Sequence, residues 1–210
     1  SVPIPGNTTN LRLLAGLRAR GLEPRDRIVL LFERPADFVV SFWAAVLGGF
    51  VPCPMMPRGD RESWARQLTS VNSLLRPLVV TTAALAAEIP AAQDLAVSSL
   101  EDLLDGDPVD DGYVHEVEPH DTALLMLTSG TNGTPKAVIL SHANILAAMR
   151  SKNCRLRLTS DDVVLNWMPF DQVAALLEGH VFPVYTGSVQ VQASAAVILR
   201  QPLEFLRLLS

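Results

Sequence analysis

Short, wholly apolar runs alternate with helical stretches in this 210-residue chain. That alternation predicts an α/β protein of mostly parallel sheets with helical crossovers. Three observations carry the reading. Ile28-Val29-Leu30-Leu31-Phe32 is a continuous apolar run, the pattern of a strand covered on both faces. Helical stretches flank it at residues 11–20 and 36–47. The same alternation returns over residues 50–53, 61–75 and 78–81.

The elements follow in order. An amphipathic helix over 11–20 stops at Gly21, a common C-terminal residue of helices. Residues 38–56 carry no charge, so a membrane span must be weighed. Gly48-Gly49, Pro52 and Pro54 break the stretch too early, which leaves a buried helix over 36–47 and a short strand over 50–53. The helix over 61–75 ends before Pro77, and a strand over 78–81 follows. Residues 83–92 read as a short Ala-rich helix. Residues 101–119 are acidic, with Pro and Gly, and read as a linker between sub-lobes 1–110 and 120–210.

Beyond it lie strands over 124–127 and 137–140, then a helix over 143–150 with Ser141 at its N-cap. Thr159-Ser160-Asp161-Asp162 reads as a turn before a buried strand over 163–168 that ends at Pro169. A single helix over 173–185 closes near Gly187; a strand over 188–191 and a helix from Pro202 complete the chain.

Composition narrows the classes. The net charge of −5 leaves no basic surface for nucleic acid. Arg12, Arg18, Arg20, Arg25 and Arg27 read as a solvated helix face and turn. Cys53 and Cys154 make no disulfide framework and are expected as buried free thiols in a reducing, cytoplasmic setting. His115, His120, His142 and His180 lack zinc-motif spacing, and no metal site is expected. Ser1-Val2-Pro3-Ile4-Pro5 has neither the basic nor the apolar region of a signal peptide.

Between strands 124–127 and 137–140 lies Thr128-Ser129-Gly130-Thr131-Asn132-Gly133-Thr134-Pro135-Lys136. The segment presents hydroxyl, amide and backbone donors, one ammonium and no carboxylate. Gly130 and Gly133 let the backbone approach a ligand, and successive N–H groups in such turns form anion sites. Pro135 restrains Thr134 to an extended form, and Lys136 suits phosphate oxygens. This is the composition of a polyphosphate cradle. The competing reading is a Gly/Thr-rich hairpin turn, although hairpins need only two to five residues. The Walker pattern fails, because Pro135 stands where its glycine belongs and Ala137 follows the lysine.

In these residues the chain resembles the adenylate-forming superfamily, which includes acyl-CoA synthetases and nonribosomal peptide adenylation domains. Thr128, Ser129, Gly130, Thr131, Gly133, Pro135 and Lys136 match its phosphate loop; Asn132 and Ala137 depart from it. The resemblance extends to Ser141-His142-Ala143-Asn144, to Leu165-Asn166-Trp167-Met168-Pro169-Phe170-Asp171, and to residues 11–52. It implies that Thr128, Ser129, Gly130, Thr131, Asn132, Gly133, Thr134 and Lys136 bind the phosphates of ATP. Phe170, Asp171, Gln172 and His142 become candidates for an acyl-substrate pocket. Asp171 is alternatively the N-cap of the following helix, and His142 a helix-start residue bonded to backbone. Gln172 stands where the family has histidine, and Ala174 and Ala175 where it has two glycines.

The implied reaction is ATP-dependent activation of a carboxylic acid as acyl-adenylate, with release of pyrophosphate. Mg²⁺ is the implied cofactor, with transfer to coenzyme A or a carrier-protein phosphopantetheine, in a polyketide or nonribosomal peptide assembly line. The family's Mg²⁺-binding Glu, ribose-binding Asp and late lysine are not found in these residues. The chain therefore reads as the N-terminal part of a larger adenylation domain, with little turnover alone. The alternative is a degenerate non-catalytic module that docks a carrier or partner protein.

Overall fold

The computed structural model describes residues 8–90, 95–105, 114–128 and 136–208. They divide into two units, one up to Ser141 and one from His142.

The first unit is built on four strands: β1 (Arg27–Leu31), β2 (Val51–Met55), β3 (Leu78–Thr81) and β4 (Ala96–Ser99). They pair in parallel in the order β2-β1-β3-β4, with Ile28 opposite both Pro52 and Leu78. Helices α1 (Thr8–Ala19), α2 (Pro35–Leu47), α3 (Arg61–Leu75) and α4 (Ala83–Glu88) precede or connect the strands, and α5 (Leu100–Leu104) follows β4. The expected parallel α/β architecture is thus present. The apolar run of β1 explains itself, since Ile28, Val29, Leu30 and Leu31 are all buried. Val29 and Leu31 join Cys53, Met55 and Val79 under Trp64, Leu68 and Val71 of α3. A buried Leu or Val side chain contributes about 1.5–3 kcal/mol, so this layer is a substantial anchor of the sheet.

Local signals fix several boundaries. The Asp60 carboxylate accepts the Ser63 N–H at 2.8 Å and caps α3. Those hydrogen bonds hold the Asp60 carboxyl below the ordinary carboxylate range. Arg76, just before Pro77, ends α3 in the left-handed region with φ 47. Helix α4 stops earlier than its Ala-rich composition suggests. Ile89 precedes Pro90 and is extended, with φ −69 and ψ 125, as the proline ring requires.

Elsewhere the structure departs from expectation. The acidic segment is not wholly linker, because its first residues form α5. Leu100 and Leu103 are buried, and Ser99 Oγ accepts the Asp102 N–H at 3.1 Å as the cap. The unit boundary after Ser141 also differs from sub-lobes 1–110 and 120–210. Strand β5 (Thr122–Thr128) packs beside β2 and adds Leu125 to the core of the first unit. The arginine cluster ties elements together instead of only facing water. Arg20 donates to Ser98 Oγ, Arg27 to the Leu75 carbonyl, and Arg25 pairs with Asp121 at 2.8 Å.

The thiols split. Cys53 is buried and its thiol is pushed up to about 12, whereas Cys154 is exposed, against the expectation of two buried thiols. The thiolate is the reactive form. A thiol reagent at neutral pH is therefore expected to modify Cys154 in the native chain and Cys53 only after denaturation. Equal labelling of both before unfolding would contradict this packing.

The second unit contains α6 (His142–Leu156), β7 (Val163–Asn166), α7 (Val173–Leu176), α8 (Phe182–Thr186), β8 (Val189–Gln192), α9 (Ala195–Arg200) and α10 (Leu203–Leu208). Strands β7 and β8 are parallel, with Val163 opposite Val189 and Asn166 opposite Gln192. Strand β7 is not the buried strand expected: Val163 is 61% exposed and only Asn166 is buried. The helix expected over 173–185 is interrupted by a π turn, Leu177–Val181. Among the described residues no helix is long and apolar enough to cross a membrane.

Candidate functional site

The stem of the candidate phosphate loop is an antiparallel pair of β5 and β6 (Lys136–Ser141). Leu125 lies opposite Ile139, Leu127 opposite Ala137, and Thr128 opposite Lys136. Thr128 Oγ1 donates to the Lys136 carbonyl at 3.4 Å. Facing Cα atoms in such a pair stand about 4.5–5.5 Å apart. The chain therefore leaves at Thr128 and returns at Lys136 beside it. Ser129, Gly130, Thr131, Asn132, Gly133 and Thr134 lie outside the described residues. The hairpin reading and the cradle reading thus coexist at the stem.

Burial explains why this stem is a firm mount. Ala123, Leu124, Leu125 and Met126 are buried, and Leu127 and Ala137 pack against the α3-covered core. The end of the stem changes character. Thr128 and Lys136 are exposed, so the hydroxyl and the ammonium are presented to solvent. Strand β5 anchors the hairpin, whereas Val138 and Ile139 of β6 are exposed.

The acyl-pocket candidates belong to the second unit. His142 is the first residue of α6, directly after β6 in the chain, and is half-buried. Phe170 is buried at 6% exposure, its ring centroid 5.7 Å from that of His180. Asp171 is half-buried and Gln172 exposed. Gln172, not Asp171, occupies the N-cap of α7, and it makes no side-chain capping bond. The N-cap reading of Asp171 is therefore corrected by one residue. Asp171, Gln172 and His142 are not among the residues that wall one cavity of this unit. That space, about 290 Å³, is walled by residues including Leu156, Leu165, Ala175 and Phe182, with the Lys152–Glu178 ion pair at its edge.

A polar network missed by sequence reasoning lies beneath Phe170. Asn166 Nδ2 donates to the Met168 carbonyl at 3.0 Å and to Gln192 Oε1 at 2.9 Å, while Asn166 Oδ1 accepts the Met168 N–H at 3.2 Å. Gln192 Nε2 donates to the Gly179 carbonyl at 2.7 Å and to Gln190 Oε1 at 3.3 Å. Gln190 Oε1 also lies 2.7 Å from Nδ1 of His180, a side chain with no exposure. Because Gln190 Oε1 accepts, His180 carries its proton on Nδ1.

The π turn follows from composition. Pro183 has no N–H to give the Gly179 carbonyl, and Gln192 supplies the missing donor. The Phe182 N–H instead reaches back five residues to the Leu177 carbonyl. Gly179 itself sits against β7: a Cβ there would lie 2.7 Å from both Cβ and Cγ of Asn166. The sequence carried a usable signal, a Gly and a Pro four apart inside one helical stretch, followed by alternating glutamines on a strand.

Burial lowers the pKa of His180, partly offset by its bond to Gln190. The unfolded chain takes up this proton near the ordinary 6.5, the native chain only lower. Stability is therefore full above that value and falls as pH drops from it toward the folded pKa. Hydrogen exchange of residues 177–192, corrected for intrinsic rates, is expected to quicken between about pH 7.5 and about pH 5.5. A His180→Asn chain should lack most of that change.

The family described as AMP-binding enzyme matches residues 8–209. Atromentin synthetase greA of Suillus grevillei is 35% identical over 189 residues, covering 87% of this chain and 20% of that protein. Among solved structures, the adenylation domain of a keto acid-selecting NRPS module bound to keto acyl adenylate superposes with a TM-score of 0.87. It is 31% identical and covers 95% of this chain and 37% of its own. McyG A-PCP complexed with phenylalanyl-adenylate gives 0.89 at 30% identity, covering 95% of this chain and 33% of its own. The chain spans about a fifth of the length of the curated relative and little more than a third of these solved chains.

Proposed function

The chain belongs to the AMP-binding enzyme family, and from that premise we propose that its full-length protein activates a carboxylic acid with ATP. A carboxylate oxygen attacks the α-phosphorus, the bond from that phosphorus to the bridging oxygen breaks, and acyl-adenylate and pyrophosphate result. The acyl group then passes to a phosphopantetheine thiol, on a carrier protein or coenzyme A, releasing AMP. This chain supplies the N-terminal part of such an adenylation domain.

One observation carries the reading. The segment from Thr128 to Lys136 resembles the family's phosphate loop, and its two ends face each other on a hairpin stem whose first strand, β5, is buried. Residues 128–134 would donate to the β- and γ-phosphates, and Lys136 would offset their charge as pyrophosphate departs. Preorganised donors of this kind act where charge develops and need no reorganisation during the reaction. Among the described residues no group of three or more His, Cys, Asp or Glu side chains could hold a metal ion. The Mg²⁺ implied by the family is assigned no ligand among these described residues. The acyl adenylates bound in the solved relatives support the acid as substrate class.

The test is acid-dependent exchange of labelled pyrophosphate into ATP by the full-length protein, across amino, keto, aryl and fatty acids. Exchange with any one acid supports the proposal. No exchange, together with no calorimetric ATP binding and tight carrier binding, would establish the non-catalytic docking module in its place.

A further inference from the structure

Met168, Pro169 and Phe170 lead into Asp171 and Gln172, and the structure holds this entry from two sides. Asn166 clamps the Met168 peptide at both its N–H and its carbonyl. The His180 ring lies against Phe170. Gln192 and Gln190 join the two contacts, since one carboxamide bonds to Asn166 and the other to His180. Every element of the network sits within the second unit, on β7, β8 and the π turn.

We infer that His180 is a positioning residue: through Phe170 and the chain Gln190–Gln192–Asn166 it fixes segment 168–172, and with it the acid-binding side of the adenylation site. The inference rests on the proposed adenylation reading for the role of that segment. Three features favour positioning over simple core filling. Gln192 Nε2 and His180 Nδ1 converge on the one acceptor Gln190 Oε1, while Asn166 donates to Gln192 Oε1, so the carboxamides have one orientation. The π turn is maintained by Gln192, which replaces the donor lost at Pro183. His180 is fully buried yet bonded to a strand residue ten positions away, which locks the turn to the sheet. π turns recur where a functional segment needs a fixed, irregular backbone.

The test uses the full-length protein with the acid that gives exchange. His180→Phe keeps a ring against Phe170 and removes the Nδ1 donor; His180→Asn keeps a donor near that position. Gln190→Leu, at a half-buried strand position, removes the acceptor while leaving the turn's own residues in place. In His180→Phe and Gln190→Leu the KM for the acid is expected to rise about 10- to 100-fold, with the KM for ATP held within about twofold. His180→Asn should recover most of that loss. Hydrogen exchange of a peptide over 166–172 should quicken about tenfold in the first two variants and not in the third.

An unchanged KM for the acid overturns the inference whether or not exchange quickens, and so does a parallel rise in both KM values. A wild-type protein that exchanges no pyrophosphate would sink the adenylation reading itself, an outcome distinct from an active wild type with silent variants.

Discussion

Lys136→Ala is expected to lower pyrophosphate exchange in the full-length protein by at least about 10²-fold, the scale at which removing one preorganised donor acts. The physical case rests on position. Lys136 opens β6 opposite Thr128, exposed, and is paired to the strand β5, whose residues 123–126 are buried. Strand pairing fixes the backbone that carries the ammonium before phosphate binds. Its charge matters most as the bond to pyrophosphate breaks, so the loss should fall on kcat and not only on the KM for ATP. Because the side chain is exposed, folding stability should change by no more than about 0.5 kcal/mol. Exchange measured beside a denaturation curve separates the two effects. A variant with intact folding and undiminished exchange would remove the segment from any phosphate-binding role.

The sequence made the first unit legible wherever one residue sufficed to decide an outcome. Pro77 stopped α3, and the unbroken apolar run of β1 announced a strand covered on both faces. Helix α5 was hidden because its charges looked like linker, although Leu100 and Leu103 carry its burial. Strand β4 was hidden for a related reason. Ser98 and Ser99 are buried but satisfied, one by Arg20 and one by capping α5, and those partners lie in other elements. Tertiary contacts of that kind have no local signature.

In the second unit the limits are sharper. One helix was expected over 173–185, but hydrogen-bond accounting decides the backbone, and Pro183 leaves a carbonyl for Gln192 to satisfy. The segment read as a phosphate loop lies outside the described residues between Thr128 and Lys136, and its stem pairs as the flanking apolar runs suggest. The acyl side was legible only as a segment. Phe170 packs against His180, which bonds to Gln190, and neither partner belongs to the motif.

Gly16→Ala tests the least forgiving contact in the first unit. A Cβ at Gly16 would lie 2.3 Å from the Leu103 carbonyl oxygen, 2.9 Å from its Cα and 3.0 Å from its carbonyl carbon. All three are backbone atoms, so no rotamer change relieves the overlap and α5 itself must shift. Overpacking of this kind costs about 1–3 kcal/mol, sometimes more. Alanine's helical preference over glycine offsets about 0.5–1 kcal/mol of that loss. The net expectation is destabilisation, because α5 is held by the buried Leu103 and by the Ser99 cap at the end of β4. Urea unfolding should show a lower midpoint with an unchanged slope. A higher midpoint would mean that helix preference prevails, and that α5 yields to α1 at negligible cost instead of being packed rigidly against it.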